Sequence, residues 1–410
     1  MKPDRRTVLA GGAAALSMPF VHVARAAGEP LRIAILADMN GPYSTLGGAA
    51  AVAAVNLAVE DFRKETPSIP VDVVYADFQL KPDIGLTVAR NWLDQGGVDA
   101  IADVPMSALA LGLTQLLRDK NRVGLFTATA TEDLSGAYCG PNHVHWTYDS
   151  HGMATAVANA IMDRGLDTWF FIAADYAMGA SVVRDATKVI TARGGKVVGT
   201  VRHPFPGLGD FSSLLLQAQG SGAKVICFAN AGDDLIACIK QAAEFKTTSN
   251  GSILTAMLMD LPQVHSIGLK DAQGMFYSSG FYWEKNDGAR AFSNRVGERV
   301  RNFIPSQNVA GAYSAALHYL RAAAVVGHAK AKADGAAVVA QMKKMQVTDP
   351  LYGPANIRED GRLMNPIYLL QAKTPAQSRG GWDYARIAGQ TPPDKAYRQL
   401  SEGRCLWLKG

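Results

Sequence analysis

Charge is sparse in this chain, and it never gathers. Only 19% of the 410 residues are Asp, Glu, Lys or Arg, and beyond residue 26 no Lys/Arg run occurs. The formal net charge of +5 falls to +2 once Lys2, Asp4, Arg5, Arg6 and Arg25 are set aside. A nucleic acid or an anionic membrane surface therefore finds no electrostatic footing. Nor does any later segment approach an uncharged apolar 18-mer with clean flanks, so a membrane span within the folded part is not expected. The signatures of common enzymes are missing too. No G-x-G-x-x-G follows the first apolar run, and the Gly207/Gly209 pair lacks the third glycine. There is no Walker motif, no G-x-S-x-G elbow and no H-E-x-x-H. His143 and His145 could share one strand face, but no further metal ligand lies close by in sequence, so no metal site is expected. No cofactor and no catalytic residue is expected.

Cysteine is scarce, at four residues. Cys227 sits in the apolar run KVICFAN and Cys238 in LIACIKQAAEF, where buried free thiols are the simple reading. Cys139 (GAYCGPN) and Cys405 (EGRCLWL) have polar, turn-rich surroundings. In an oxidising compartment they are expected to pair and to tie down the C-terminal tail.

What is present begins at the N-terminus. Residues 1–26 combine a basic start, the pair Arg5-Arg6, a short apolar run and Ala24-Arg25-Ala26. This reads as an export signal with a twin-arginine look and a small-residue cleavage site, and places the folded part in the periplasm. After it the chain alternates apolar runs with helical patterns: LRIAILA, VDVVYAD, VDAIADV and RVGLFTA, then TWFFIAA, KVVGTVRH, KVICFAN and SILTAML. Continuous apolar runs separated by 10–15-residue helices imply an α/β protein of buried parallel strands in right-handed βαβ units. Two doubly wound series stand in tandem, about 30–148 and 150–276. A later helical stretch from Ala310 and a short strand pair near NPIYLLQAK and WDYARIA remain to be shared between them.

In open α/β sheets, ligands bind beyond the carboxyl ends of the strands. The loops there carry Tyr43 and Ser44, then Met106 and Ser107, then Ala128 and Thr129. In the second series they carry Tyr176, Met178 and Asn230. Ser107 suits two roles, capping the helix that follows or presenting its hydroxyl beside backbone N–H groups to an anion. Trp146, Tyr148, Phe281, Tyr282 and Trp283 cluster near loop ends and are candidates for aromatic walls.

An export signal followed by IAILADMNGPYSTLGGAAAVAAVNLAVEDF, P-M-S-A, T-A-T-A, CGPNHVHWTYD and DYAMG resembles the type I periplasmic substrate-binding proteins of ABC importers. It is most similar to the group that binds branched-chain amino acids, amides and aromatic acids. The resemblance spans essentially the whole exported chain. It implies a two-lobed clamp with three crossovers that closes on a small ligand and docks to permease subunits at the inner membrane. By the family pattern, Ser107 with Ala128 and Thr129 holds a ligand carboxylate, and Tyr43 and Ser44 line the same lobe. Met178 stands where amino-acid binders commonly carry an aromatic. Thr255, Ala256 and Met257 stand where those proteins tend to place a carboxylate for the ligand ammonium, and none is charged. A buried ammonium without a partner is costly, which favours an aromatic or aryl-aliphatic carboxylate. A branched-chain amino acid, a short amide, a ligand-sensing module and an exported hydrolase are the alternatives. The lobes are expected to comprise 29–148 plus 280–345 and 149–279 plus 346–410, in a monomer.

Overall fold

The computed structural model describes residues 28–207 and 209–408. The expected signal segment, 1–26, lies outside the described residues. The first lobe starts with β1 (Leu31–Ala37), α1 (Gly48–Glu65), β2 (Val71–Asp77), α2 (Pro82–Asp94), β3 (Ala100–Asp103), α3 (Ser107–Asp119), β4 (Val123–Phe126) and β5 (His143–His145). Its five strands are all parallel, in the order β2-β1-β3-β4-β5. The second lobe runs through α4 (Ser150–Met162), β6 (Thr168–Ala174), α5 (Ala177–Ala192), β7 (Lys196–His203), α6 (Ser212–Gly220), β8 (Val225–Ala229), α7 (Gly232–Glu244), β9 (Ile253–Leu258), α8 (Leu261–Ile267), α9 (Leu269–Ala272) and β10 (Phe276–Ser279).

The chain then returns to the first lobe with α10 (Asp287–Arg299), α11 (Gln307–Val326), α12 (His328–Ala333) and α13 (Gly335–Lys344). Helix α11 lies against α1, and its buried residues occupy nearly its whole circumference. That explains the alanine-rich, almost uncharged stretch AGAYSAALHYL: a helix covered on all sides has no solvated face to fill. Finally β11 (Ile367–Ala372) and β12 (Ala385–Thr391) add antiparallel strands to the second sheet, ordered β12-β11-β10-β9-β8-β6-β7, and α14 (Pro393–Ala396) packs on α4. The inner strands β1, β3, β4, β6 and β8 are buried along almost their whole length, as their apolar runs require. The edge strand β7 instead alternates exposed and half-buried positions.

Two stretches assigned to the second lobe from sequence pack elsewhere. Val347, Leu351, Tyr352, Ala355, Ile357 and Leu363 bury their side chains in the first lobe's core. Arg362 also pairs with His145 as a parallel bridge beside β5. The third crossing therefore comes after Leu363 rather than at 346, because these apolar side chains find their partners on the first lobe. The tail beyond Tyr397 likewise turns back: Arg398 bonds Glu132, and Cys405 forms a disulfide with Cys139. Cys227 and Cys238 are free and buried.

The crossings are knit by Arg362, which is fully buried. Its guanidinium donates to the carbonyls of Tyr148 (2.9 Å), Trp146 (2.7 Å) and Leu363 (3.0 Å) and lies 4.4 Å from the Tyr397 ring centroid. Five N–H donors in a fixed fork suit a junction where several chain segments leave carbonyls unpaired.

Candidate functional site

The cleft is shaped first by local backbone chemistry. After β1, Asp38 accepts hydrogen bonds from the Gly41 and Tyr43 N–H groups, each at 2.7 Å, and so folds the loop that presents Tyr43. At the end of β3, Asp103 and Val104 both adopt positive φ, 74° and 62°. A non-glycine pair in that region costs about 1–3 kcal/mol per residue. It is held by Thr127 and Ala128 N–H groups on the Asp103 carbonyl and by the Thr129 hydroxyl on the Val104 carbonyl at 2.7 Å. The turn this creates aims Pro105 and Ser107 into the cleft.

A cavity lies between the lobes at the strand ends. The first lobe contributes Tyr43, Leu46, Pro105, Ser107, Ala128 and Ala130, with Tyr148 from the first crossing and Asn308 from the start of α11. The second contributes Tyr176, Met178, Ala231 and Leu258. No charged side chain lines it. About 280 Å³ lies between its atoms. The lobes meet over it. The Tyr43 and Tyr176 hydroxyls meet across the cleft, Phe205 stacks on both rings, at 5.1 and 4.7 Å between centroids, and the Asp233 N–H donates to the Pro42 carbonyl at 3.2 Å. Beside the crossings, Glu132 of the first lobe pairs with Arg184 of α5 at 2.9 Å, and Thr131 bonds Ser181 at 3.1 Å.

Three helices begin at this cavity without a side-chain cap. Helix α3 has Met106 at its N-cap, α5 has Tyr176 and α7 has Ala231, and none makes a capping hydrogen bond. Ser107 therefore does not cap α3; its Oγ accepts from the Thr131 N–H at 3.3 Å. The first N–H groups of a helix want an acceptor, and each helix terminus adds about 0.3–1 kcal/mol of attraction for an anion.

Of the residues proposed from sequence, Tyr43, Ser107, Ala128, Tyr148, Tyr176 and Met178 come together on the cavity wall. The others do not. Ser44 stays in its loop without reaching the wall. Met106 packs into the first lobe's core. Thr129 spends its hydroxyl on Val104. Trp146 is fully buried among first-lobe side chains, with its N–H on Ser314 at 3.0 Å, and Phe281 joins the same core. Tyr282 donates to the Ala385 carbonyl in the second lobe, where Trp283 also packs. Asn230 bonds His203 and Cys238. Met257 is sealed in the core, and its neighbour Leu258 takes the wall position, since successive strand residues face opposite ways. Leu46, Pro105, Ala130, Ala231, Leu258 and Asn308 complete the wall and are not among the residues expected from sequence. The signal for Asn308 was Ser306, whose hydroxyl accepts from the Val309 N–H at 3.3 Å and starts α11 before Ala310.

Buried carboxyls surround the cavity without lining it. Asp103 has no hydrogen-bond partner on either oxygen, and burial, with the Asp38 charge adding, pushes it up to about 7. Asp260 reaches about 7 for the same first reason, although Gln307 and Ser279 donate to it. Burial also lifts Glu132 to about 7, with Asp185 adding, while Arg398 and Arg184 pull the other way.

A family profile described as periplasmic binding protein matches residues 30–380. The chain belongs to the periplasmic binding protein family. Two solved members of the wider group support this closely. A periplasmic binding protein from Burkholderia mallei is 36% identical, with a TM-score of 0.87 over 92% of this chain and 98% of the other. A branched chain amino acid ABC transporter periplasmic ligand-binding protein from Burkholderia xenovorans LB400 is 37% identical, with a TM-score of 0.81 over 92% and 99%. A Rhodopseudomonas palustris solute binding protein in complex with benzoate shares the fold at 19% identity, with a TM-score of 0.77 over 89% and 97%. The chain spans about three fifths of the length of the curated relatives it matches. These are Leu/Ile/Val-binding protein homologues of Brucella, such as that of Brucella abortus, 23% identical over 252 residues, 58% of this chain and 59% of theirs. Periplasmic binding proteins are ligand-binding components rather than an enzyme class, and the family places the chain in the periplasm.

Proposed function

We propose that this periplasmic binding protein captures a small aromatic or aryl-aliphatic carboxylate between its lobes and delivers it to an ABC importer. The observation that carries the reading is the convergence of three uncapped helix N-termini, α3, α5 and α7, on a cavity walled by tyrosines and free of charged side chains. The helix ends and the Ser107 hydroxyl suit a carboxylate. The rings of Tyr43, Tyr148 and Tyr176 suit a planar apolar body. An α-amino acid brings an ammonium as well, and the wall offers it no carboxylate. The same cleft chemistry supports Ala128 and Met178 as ligand neighbours. Closure on the ligand is then the population shift that permease subunits read. The protein acts as a monomer, and the Arg5-Arg6 pair supports export of the folded chain by the twin-arginine route.

A branched-chain amino acid is the second reading, favoured by the 37%-identical Burkholderia xenovorans protein, a branched chain amino acid ABC transporter periplasmic ligand-binding protein. Ser107→Ala tests the carboxylate assignment. It should weaken binding of an aryl acid by about 0.5–1.5 kcal/mol, more if the carboxylate is left underpaired. Unchanged affinity removes Ser107 from the site.

A further inference from the structure

Asn308 is the one wall residue whose side chain combines full polarity with an unmet bond. It is 1% exposed, it lines the cavity, and its Oδ1 has no hydrogen-bond partner. Tyr148, on the same wall, spends its hydroxyl proton on the Ala128 carbonyl at 3.1 Å and so has none to give that oxygen. The residue is held firmly. It is the second residue of α11, behind the Ser306 cap, and its neighbour Gln307 is fixed by Asp260, by the Gly280 N–H at 2.6 Å and by the Tyr352 hydroxyl at 2.9 Å. A buried, unpartnered amide oxygen on a rigid helix start at the cavity wall is an acceptor awaiting a donor.

We infer that Asn308 is a specificity-determining residue that accepts a hydrogen bond from a donor on the body of the ligand, so that the preferred carboxylate carries a hydroxyl or N–H group away from its carboxyl end. This rests on the proposed capture of an aryl carboxylate and narrows it to hydroxylated or amino-substituted acids. The helix N-termini supply only donors, and a ligand carboxylate supplies only acceptors, so the two cannot satisfy Asn308. A site built around such a bond discriminates sharply against the analogue that lacks the donor, because the acceptor is then left buried and unpaired.

The test is calorimetry on the full exported chain with matched probes: 2-, 3- and 4-hydroxybenzoate against the corresponding methylbenzoates, with benzoate and leucine alongside. At least one hydroxybenzoate should bind about tenfold or more tightly than its methyl counterpart. In Asn308→Leu that ratio should fall towards one, and in Asn308→Asp, which keeps an acceptor, it should persist. The Asp variant also guards against misfolding of the Leu variant, and the melting temperature of each variant without ligand is recorded. Equal binding of every hydroxy and methyl pair by the unsubstituted protein overturns the inference about Asn308 while leaving aryl-acid capture intact. A ratio unchanged in a folded Asn308→Leu variant does the same. Binding of leucine with no binding of any aryl acid overturns both.

Discussion

The Cys139–Cys405 bridge gives the most quantitative prediction. The tail it anchors is held weakly otherwise. Beyond Arg398 it offers Leu406 and Trp407 largely to solvent, and Arg118 lies 5.4 Å from the Trp407 ring centroid. The noncovalent hold is concentrated earlier, where the Tyr397 hydroxyl donates to Asn365 at 3.0 Å and Arg398 donates to the Glu132 carbonyl at 3.0 Å. The bridge joins residues 266 apart. Constraining so long a loop in the unfolded chain is worth about 5–6 kcal/mol on the chain-entropy argument, and native bridges more often contribute about 2–4. The Cys139→Ala/Cys405→Ala double variant avoids stray thiols. Its urea midpoint should drop by an amount corresponding to about 2–4 kcal/mol, with amides of 399–408 losing hydrogen-exchange protection while those of α4 keep theirs. An unchanged midpoint together with unchanged tail protection would refute the reasoning, because the tail would then be held by its side chains alone.

Three further outcomes are expected. Gly232 has φ +65°, and a Cβ there would come within 2.3 Å of the Pro42 carbonyl oxygen across the cleft; Gly232→Ala should therefore hinder closure and weaken ligand binding tenfold or more in calorimetry, while the strain of alanine at positive φ lowers the ligand-free melting temperature by only a few degrees. Trp146→Ala should destabilise by about 3–5 kcal/mol in urea melts, because it empties a fully buried site; a ligand-wall role would instead show as lost affinity at unchanged stability. Stability should fall as pH rises through about 7: Asp103 and Asp260 bind their protons more tightly folded than unfolded, so their contribution is full below the ordinary carboxyl range and is lost on ionisation near 7. Asp103→Asn should flatten melting temperature between pH 5 and 8, and an equally steep variant would show that Asp103 is not the source.

The parallel cores were legible because buried strands leave uninterrupted apolar runs. LRIAILA and KVICFAN could hardly be anything else. The lobe boundaries were less so. Leu351, Ile357 and Leu363 look the same in sequence whichever lobe buries them, and only their packing partners on the first lobe decide. The aromatics show a similar limit. Trp146 and Tyr148 are two residues apart just beyond β5, yet one sits in the core and the other at the cavity. Asn308 reaches the site through a helix that begins some 260 residues after Tyr43 in the chain, so no local pattern could join the two. The disulfide was readable from local polarity together with the export signal, since Cys139 and Cys405 stand in turn-rich segments while Cys227 and Cys238 lie inside apolar runs.

Isothermal calorimetry of the exported chain with benzoate-type and phenylpyruvate-type acids against leucine and valine tests the central claim most directly. A cleft with three helix N-termini, tyrosine walls and no charged side chain should bind an aryl carboxylate at micromolar or tighter affinity, and the branched-chain amino acids far more weakly. Micromolar binding of leucine or valine, with no heat from any aryl acid, would contradict the account.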